Sequence, residues 1–122
     1  MPNRRLVAKH LGELMRVLSH PDRIQIVQLL AASGEHRVSN IAETLSLPAT
    51  RISQHLATLK AHRLVEERTE GRHRFYRLTV KQLAPWLVSG VDFVIDRFGN
   101  VSREQGEDAK RLWVEEFEHE EI

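Results

Sequence analysis

The stretch from Pro48 to Gly71 constrains the chain most, because its apolar spacing changes there from helical to alternating. On a helical wheel of about 100° per residue, Ile52, Leu56 and Leu59 share one side of a helix running from about Ala49 to His62, and that stripe needs a core. The opposite side carries Thr50, Gln54, Ala57, Thr58 and Ala61, with Arg51 at its edge. An ordinary solvated helix face is rich in Lys and Glu, whereas this one is small and able to form hydrogen bonds, a face shaped for close approach to another surface. Leu64 to Arg68 and Arg74 to Thr79 then alternate or carry β-favouring residues around Glu70-Gly71-Arg72-His73, which predicts a β-hairpin with a basic tip.

The flanking segments read as helices. Residues 4 to 18 place Leu6, Val7, Leu11, Leu14, Met15 and Leu18 at helical spacing. Ser19-His20-Pro21-Asp22 breaks that helix and starts another, since Pro is tolerated in a first turn and Asp22 suits the positive helix end. Ile24, Ile26, Val27, Leu29 and Leu30 predict a largely buried second helix, ended by Ser33-Gly34. A short helix from Val38 to Leu45 buries Val38, Ile41, Ala42 and Leu45, and Ser46-Leu47-Pro48 connects it tightly to the helix at Ala49. Beyond the hairpin, Thr79-Val80-Lys81-Gln82 matches a capping box. The helix it would start contains Leu83, Trp86, Leu87, Val91, Phe93, Val94, Ile95 and Phe98, apolar on more than one face, so it needs a second surface, which a second subunit would supply. Pro85 either kinks this helix or marks a restart. After Gly99-Asn100, residues 102 to 121 read as an acidic helix with Ala109, Leu112, Trp113 and Phe117 in a narrow stripe.

Composition narrows the function. A chain of 122 residues suits a single core. It has no Cys, which excludes disulfides, thiolate metal sites and cysteine nucleophiles. No run of eighteen apolar residues exists and the first residues lack a signal-type stretch, so a soluble cytoplasmic protein without a membrane partner is expected. The net charge of +1 conceals a division: residues 1–98 hold 15 Lys and Arg against 9 Asp and Glu, and residues 99–122 hold 3 against 8. A basic body points to an anionic partner. No nucleophile elbow, glycine-rich phosphate loop or paired catalytic ligands are present, so an enzyme is not expected.

Two helices joined by a tight turn, the second with its small polar face outward, then a hairpin with an Arg-bearing tip, form the order of a winged helix-turn-helix. The expected fold class is α+β, mainly helical, with a winged helix-turn-helix and its flanking dimerisation helices over residues 1–98 and an acidic C-terminal helical extension over residues 99–122. The expected partner is double-stranded DNA, whose major groove admits one helix. Thr50, Arg51 and Gln54 are the candidates for base edges, with Ser53 near the helix start for a phosphate or base and Thr58 on the same face. His55 lies at the edge of the core, either a structural histidine bonded to backbone or a phosphate contact. Arg72 and Arg74, with His73, are the candidates for phosphate or minor-groove contacts. Of Phe75 and Tyr76, at least one is expected in the core.

The segments Leu18-Ser19-His20-Pro21-Asp22-Arg23-Ile24-Gln25-Ile26-Val27, Ile52-Ser53-Gln54-His55-Leu56-Ala57-Thr58-Leu59, Leu64-Val65 and Glu70-Gly71-Arg72-His73-Arg74-Phe75-Tyr76-Arg77-Leu78 resemble the ArsR/SmtB family of bacterial winged-helix repressors, over roughly residues 6 to 98. The resemblance implies a homodimer joined through the first and last family helices, here with Leu6, Leu11, Leu14, Leu87, Val91, Val94 and Phe98. It further implies two recognition helices in successive major grooves of an inverted repeat, and repression relieved by an inducer, often a metal ion. Metal-sensing members use Cys-rich sites or Asp and His ligands on the last family helix. This chain has no Cys, and its segment from Val80 to Phe98 has no His. Asp92 and Asp96 sit one turn apart and fit solvated or Arg-paired carboxylates, while His55 and His62 lie about 10 Å apart along one helix, too far to share an ion. Glu115, Glu116, His119 and Glu120 fit a frayed acidic terminus equally well. No metal and no cofactor are therefore expected, and any inducer or protein partner is unidentified. Two alternatives stay open: a winged-helix dimer used as a protein-interaction module, and a metal-responsive repressor with a non-standard site. For the extension, two readings stay open: its stripe packs on the dimer helices or the other subunit, or its acidic face covers the basic DNA surface or docks another protein.

Overall fold

The computed structural model describes residues 2–98 and 102–108; the predicted stripe Ala109, Leu112, Trp113 and Phe117 and the acidic group from Glu115 to Glu120 lie outside the described residues. Five helices and three strands follow in the order α1 (Pro2–Val17), α2 (Pro21–Ser33), β1 (His36–Arg37), α3 (Val38–Leu45), α4 (Ala49–Ala61), β2 (Val65–Glu70), β3 (His73–Leu78) and α5 (Leu83–Arg97). Among the described residues no helix is long and apolar enough to cross a membrane.

The core gathers at the centre of α2, α3 and α4. Ile26, Val27, Ile41, Ile52, Leu56 and Leu59 are fully enclosed, and Val17, Leu18, Leu30, Leu64, Val65, Tyr76, Leu83 and Ala84 close around them. The predicted stripe of α4 is thus the part of that helix that holds it in place, at about 1.5–3 kcal/mol for each fully buried aliphatic side chain. Helix α2 is less buried than its composition predicts. Ile24 is exposed and Leu29 only half-buried, because a helix covered on one side keeps the other in solvent.

The strands form one antiparallel sheet in the order β1-β3-β2, leaving β2 as an outer edge. Register runs from Val65 opposite Leu78 to Glu70 opposite His73, so Gly71 and Arg72 alone make the turn. Gly71 has φ +59 and Arg72 does not have positive φ, the arrangement of a II′ hairpin that matches the right-handed twist of its strands. Strand β1 went unpredicted: His36 and Arg37 pair with Tyr76 and Phe75, a bridge too short to leave an alternating pattern. Tyr76 is buried, and its hydroxyl donates to Glu67 Oε2 across the hairpin at 3.4 Å.

The predicted capping box is corrected. The Thr79 hydroxyl donates instead to the Arg63 carbonyl at 2.6 Å, while the Thr79 N–H bonds to Leu64 O, so Thr79 ties the end of β3 to the loop before β2. Helix α5 begins without a side-chain cap, and Pro85 sits in its first turn, where a missing N–H is no loss. The box lies further on: Ser102 Oγ accepts from the Gln105 N–H and Gln105 Oε1 accepts from the Ser102 N–H, starting a helical turn at 103–108. Gly106 is buried there against Ile95 of α5, so close that a Cβ would lie 2.1 Å from Ile95 Cγ1. The start of the extension therefore folds back on α5.

Candidate nucleic-acid interface

Helix α4 presents two unlike faces because its sequence separates them. Ile52, Leu56 and Leu59 enter the core, and Thr50, Arg51, Ser53, Gln54, Ala57 and Ala61 are exposed on the other side. Thr58 is half-buried, its hydroxyl donating back to the Gln54 carbonyl at 3.3 Å, which leaves Gln54 the longest uncharged polar side chain on the outer surface. The helix is entered from Ser46, which takes a left-handed conformation after α3, and from Pro48, whose carbonyl accepts the N–H groups of Arg51 and Ile52. Ser46 to Pro48 thus fix the angle at which α4 leaves α3.

Arg51 and His55 are drawn away from that outer surface towards α2. Arg51 Nη2 lies 2.7 Å from Asp22 Oδ2, and His55 Nε2 lies 3.3 Å from the same oxygen. His55 is buried, so its partner is a carboxylate rather than the backbone group considered above, and it does not face outward with Gln54. Burial lowers the His55 imidazole from its ordinary pKa, and the neighbouring His20 adds to that, while the hydrogen bond to Asp22 raises it. His20 completes the group as the N-cap of α2: its Nδ1 accepts the Asp22 N–H at 3.1 Å, and its ring packs 4.5 Å from that of His55, centroid to centroid. Asp22, read from sequence only as a helix-start acid, is in fact the buried anion joining α2 to α4. The signal was present in Arg51 and His55, which stand one turn apart on one flank of α4 and so can share a partner.

The hairpin carries fewer free cations than its tip predicts. Arg74 lies 3.5 Å from Glu67, which also takes Lys60 at 3.0 Å, and Arg77 pairs with Glu66. Arg68 reaches Glu35 at 2.6 Å and Glu70 at 2.7 Å with its guanidinium over the Phe75 ring. Arg72 is exposed in the turn and has no ion pair among the described residues. Of the hairpin arginines Arg72 and Arg74 remain the outermost, with Arg74 still largely in solvent.

Helices α1 and α5 leave apolar side chains uncovered. Leu6, Leu11, Phe93 and Phe98 expose 53%, 44%, 58% and 55% of their surface, and Val7, Met15, Trp86 and Val94 are exposed with them. Leu14 and Leu87 are half-buried against the core, and Val91 is half-buried.

A helix-turn-helix over α3 and α4, followed by the β2–β3 hairpin and completed by β1, defines this chain as a winged helix-turn-helix protein. It belongs to the arsR family of bacterial regulatory proteins, a family of regulators rather than of enzymes, which matches residues 20–67. The chain is 37% identical over 79 residues to the HTH-type transcriptional regulator KmtR of Mycobacterium tuberculosis, an alignment covering 65% of this chain and 60% of that protein. It spans about 60% of that regulator's length and a similar share of the HTH-type transcriptional repressor SmtB of the same organism. Among solved structures, the transcriptional repressor BigR from Xylella fastidiosa superposes with a TM-score of 0.65 at 30% identity, covering 72% of this chain and 89% of that one. The homodimeric winged helix-turn-helix DNA-binding domain of a possible ArsR-family regulator from Mycobacterium bovis superposes with a TM-score of 0.64 at 30% identity, covering 79% and 87%.

Proposed function

We propose that the protein is a sequence-specific DNA-binding transcriptional repressor acting as a homodimer on an inverted-repeat operator in the bacterial cytoplasm. The observation that carries this reading is the outer face of α4, where Thr50, Ser53 and Gln54 stand exposed on a helix whose own sequence has no acidic residue while Ile52, Leu56 and Leu59 anchor it from behind. Such a face enters a major groove about 12 Å wide without repelling phosphates, and Gln54 can offer its amide to adenine as donor and acceptor together. Arg51, half-exposed, can leave Asp22 for guanine, since Asp22 keeps His55 as a partner and the guanidinium is screened by solvent. Thr50 and Ser53 lie in the first turns of α4, where their exposed hydroxyls suit a phosphate. Thr58 supports Gln54 from below, and His55 positions the helix through Asp22. Arg72 and Arg74 serve the backbone beside the groove.

The uncovered side chains of α1 and α5 supply the dimer contact, with Leu6, Leu11, Val94 and Phe98 meeting the second subunit and Leu14, Leu87 and Val91 behind them. The homodimeric state of the Mycobacterium bovis domain supports this arrangement. Residues 1–98 then act as the DNA-binding and dimerising body and residues 99–122 as its extension, with an inducer or protein partner yet to be identified.

Selection of bound sequences from a random duplex pool at two salt concentrations tests the reading. Recovery of an inverted repeat with half-sites about one helical turn apart is expected. Gln54→Ala should then lose about 1–3 kcal/mol of discrimination at one base pair in each half-site, and Arg72→Ala should lower the salt slope by about one without changing the preferred sequence. Recovery of salt-sensitive binding alone, with no preferred sequence, would overturn it.

A further inference from the structure

We propose that His20, Asp22 and His55 form a binding site for a borderline divalent transition cation of the zinc type, and that binding there takes Asp22 away from Arg51. The three residues come from two elements, the N-cap and first turn of α2 and the middle of α4, and one donor atom of each lies within 4.8 Å of the others. His55 Nε2 stands 3.3 Å and His20 Nδ1 3.9 Å from Asp22 Oδ2. Donors at about 2.1 Å from a tetrahedral zinc ion stand about 3.4 Å apart, so two of the three separations need little adjustment. Two imidazoles and one carboxylate suit zinc and its neighbours in the transition series, whereas magnesium and calcium prefer oxygen donors throughout. Three protein ligands leave a fourth position for water, on the side where His20 is partly exposed.

Beside the charge of Arg23 near His55, three interactions oppose the cation, and these three can yield. The positive end of α2 disfavours it, but the Asp22 carboxylate sits in that same first turn and offsets the partial charge. Arg51 occupies Asp22 Oδ2 at 2.7 Å, yet its side chain is half-exposed and can swing into solvent. On the His20 side, coordination through Nδ1 replaces the cap bond from the Asp22 N–H with a bond to the metal. The cation and the Arg51 guanidinium therefore compete for one oxygen. A consequence for DNA would rest on the reading of Arg51 given above; the site itself is tested without DNA and stands or falls separately.

The experiment titrates the purified full chain, in metal-free buffer, with Zn²⁺ against a chromophoric chelator and with Co²⁺ followed by its visible ligand-field bands. One cation per chain with a Kd of about a micromolar or tighter is expected, with tetrahedral Co²⁺ bands. His20→Ala and His55→Gln should each weaken Zn²⁺ at least about tenfold and remove the Co²⁺ bands, while Arg51→Ala should tighten Zn²⁺ by about threefold to fivefold through loss of its competitor. Circular dichroism melts identify variants that remain folded; His20 is partly exposed, and Gln at 55 keeps an amide donor for Asp22, so each supplies an independent answer. Absence of micromolar binding in the unsubstituted chain overturns the proposal. So does Zn²⁺ affinity unchanged in folded His20→Ala, which would place any bound ion elsewhere, or weaker binding in Arg51→Ala.

Discussion

Asp22 shows how much one side chain can carry and how little of that a linear reading reveals. It is buried, it begins α2, and one of its oxygens receives both Arg51 and His55 from α4. Removing the carboxylate leaves a buried imidazole without its partner, so Asp22→Ala should lower unfolding stability by about 1–3 kcal/mol, measured by denaturant midpoints in metal-free buffer. Arg51→Ala, which removes only a solvent-screened cation, should lose less than about 1 kcal/mol. Equal losses in the two variants would mean that Asp22 acts through Arg51 alone. Periodicity places Ile52, Leu56 and Leu59 correctly because burial on a helix repeats with the helix. It does not identify the partner of Asp22, since that contact joins residues 33 positions apart.

At the scale of elements, helices α3 and α4 and the hairpin were legible, each defined by several side chains in a regular pattern. Strand β1 and the start of α5 were not, because a two-residue bridge has no period and Thr79 found a tertiary partner in the Arg63 carbonyl that outweighed local capping. The hairpin's link to the rest of the domain also runs through tertiary contact: Glu35, between α2 and β1, receives Arg68 of β2 in a forked pair. The Arg68 hydrogen bonds hold the Glu35 carboxyl below the usual carboxylate range. A carboxyl depressed on folding contributes stability above its unfolded pKa, about 4.3, and that contribution disappears as pH falls through the folded value. Glu35→Gln should therefore melt below the unsubstituted protein at about pH 7, and the two curves should converge as the pH is taken below about 4. A difference in melting temperature that stays constant across that range would show that Glu35 acts through packing and not through charge.

For the molecule as a whole, most of the exposed large apolar side chains among the described residues stand on α1 and α5. Each large aliphatic side chain covered there is worth about 1.5–3 kcal/mol. Leu11→Glu combined with Val94→Glu should weaken self-association at least about a hundredfold in sedimentation equilibrium while leaving α4 and its core intact; an unchanged mass would place the dimer contact elsewhere. The sequence indicated a need for cover because apolar residues on several faces of a helix cannot all reach one core, but it could not say that the chain first turns back at Gly106 onto Ile95. The sheet carries a further consequence. Its outer strand β2 bears Glu66, Glu67, Arg68 and Glu70 among six residues, charges that discourage another chain from adding a strand along its open backbone edge. A hairpin edged in this way resists pairing edge to edge with a copy of itself.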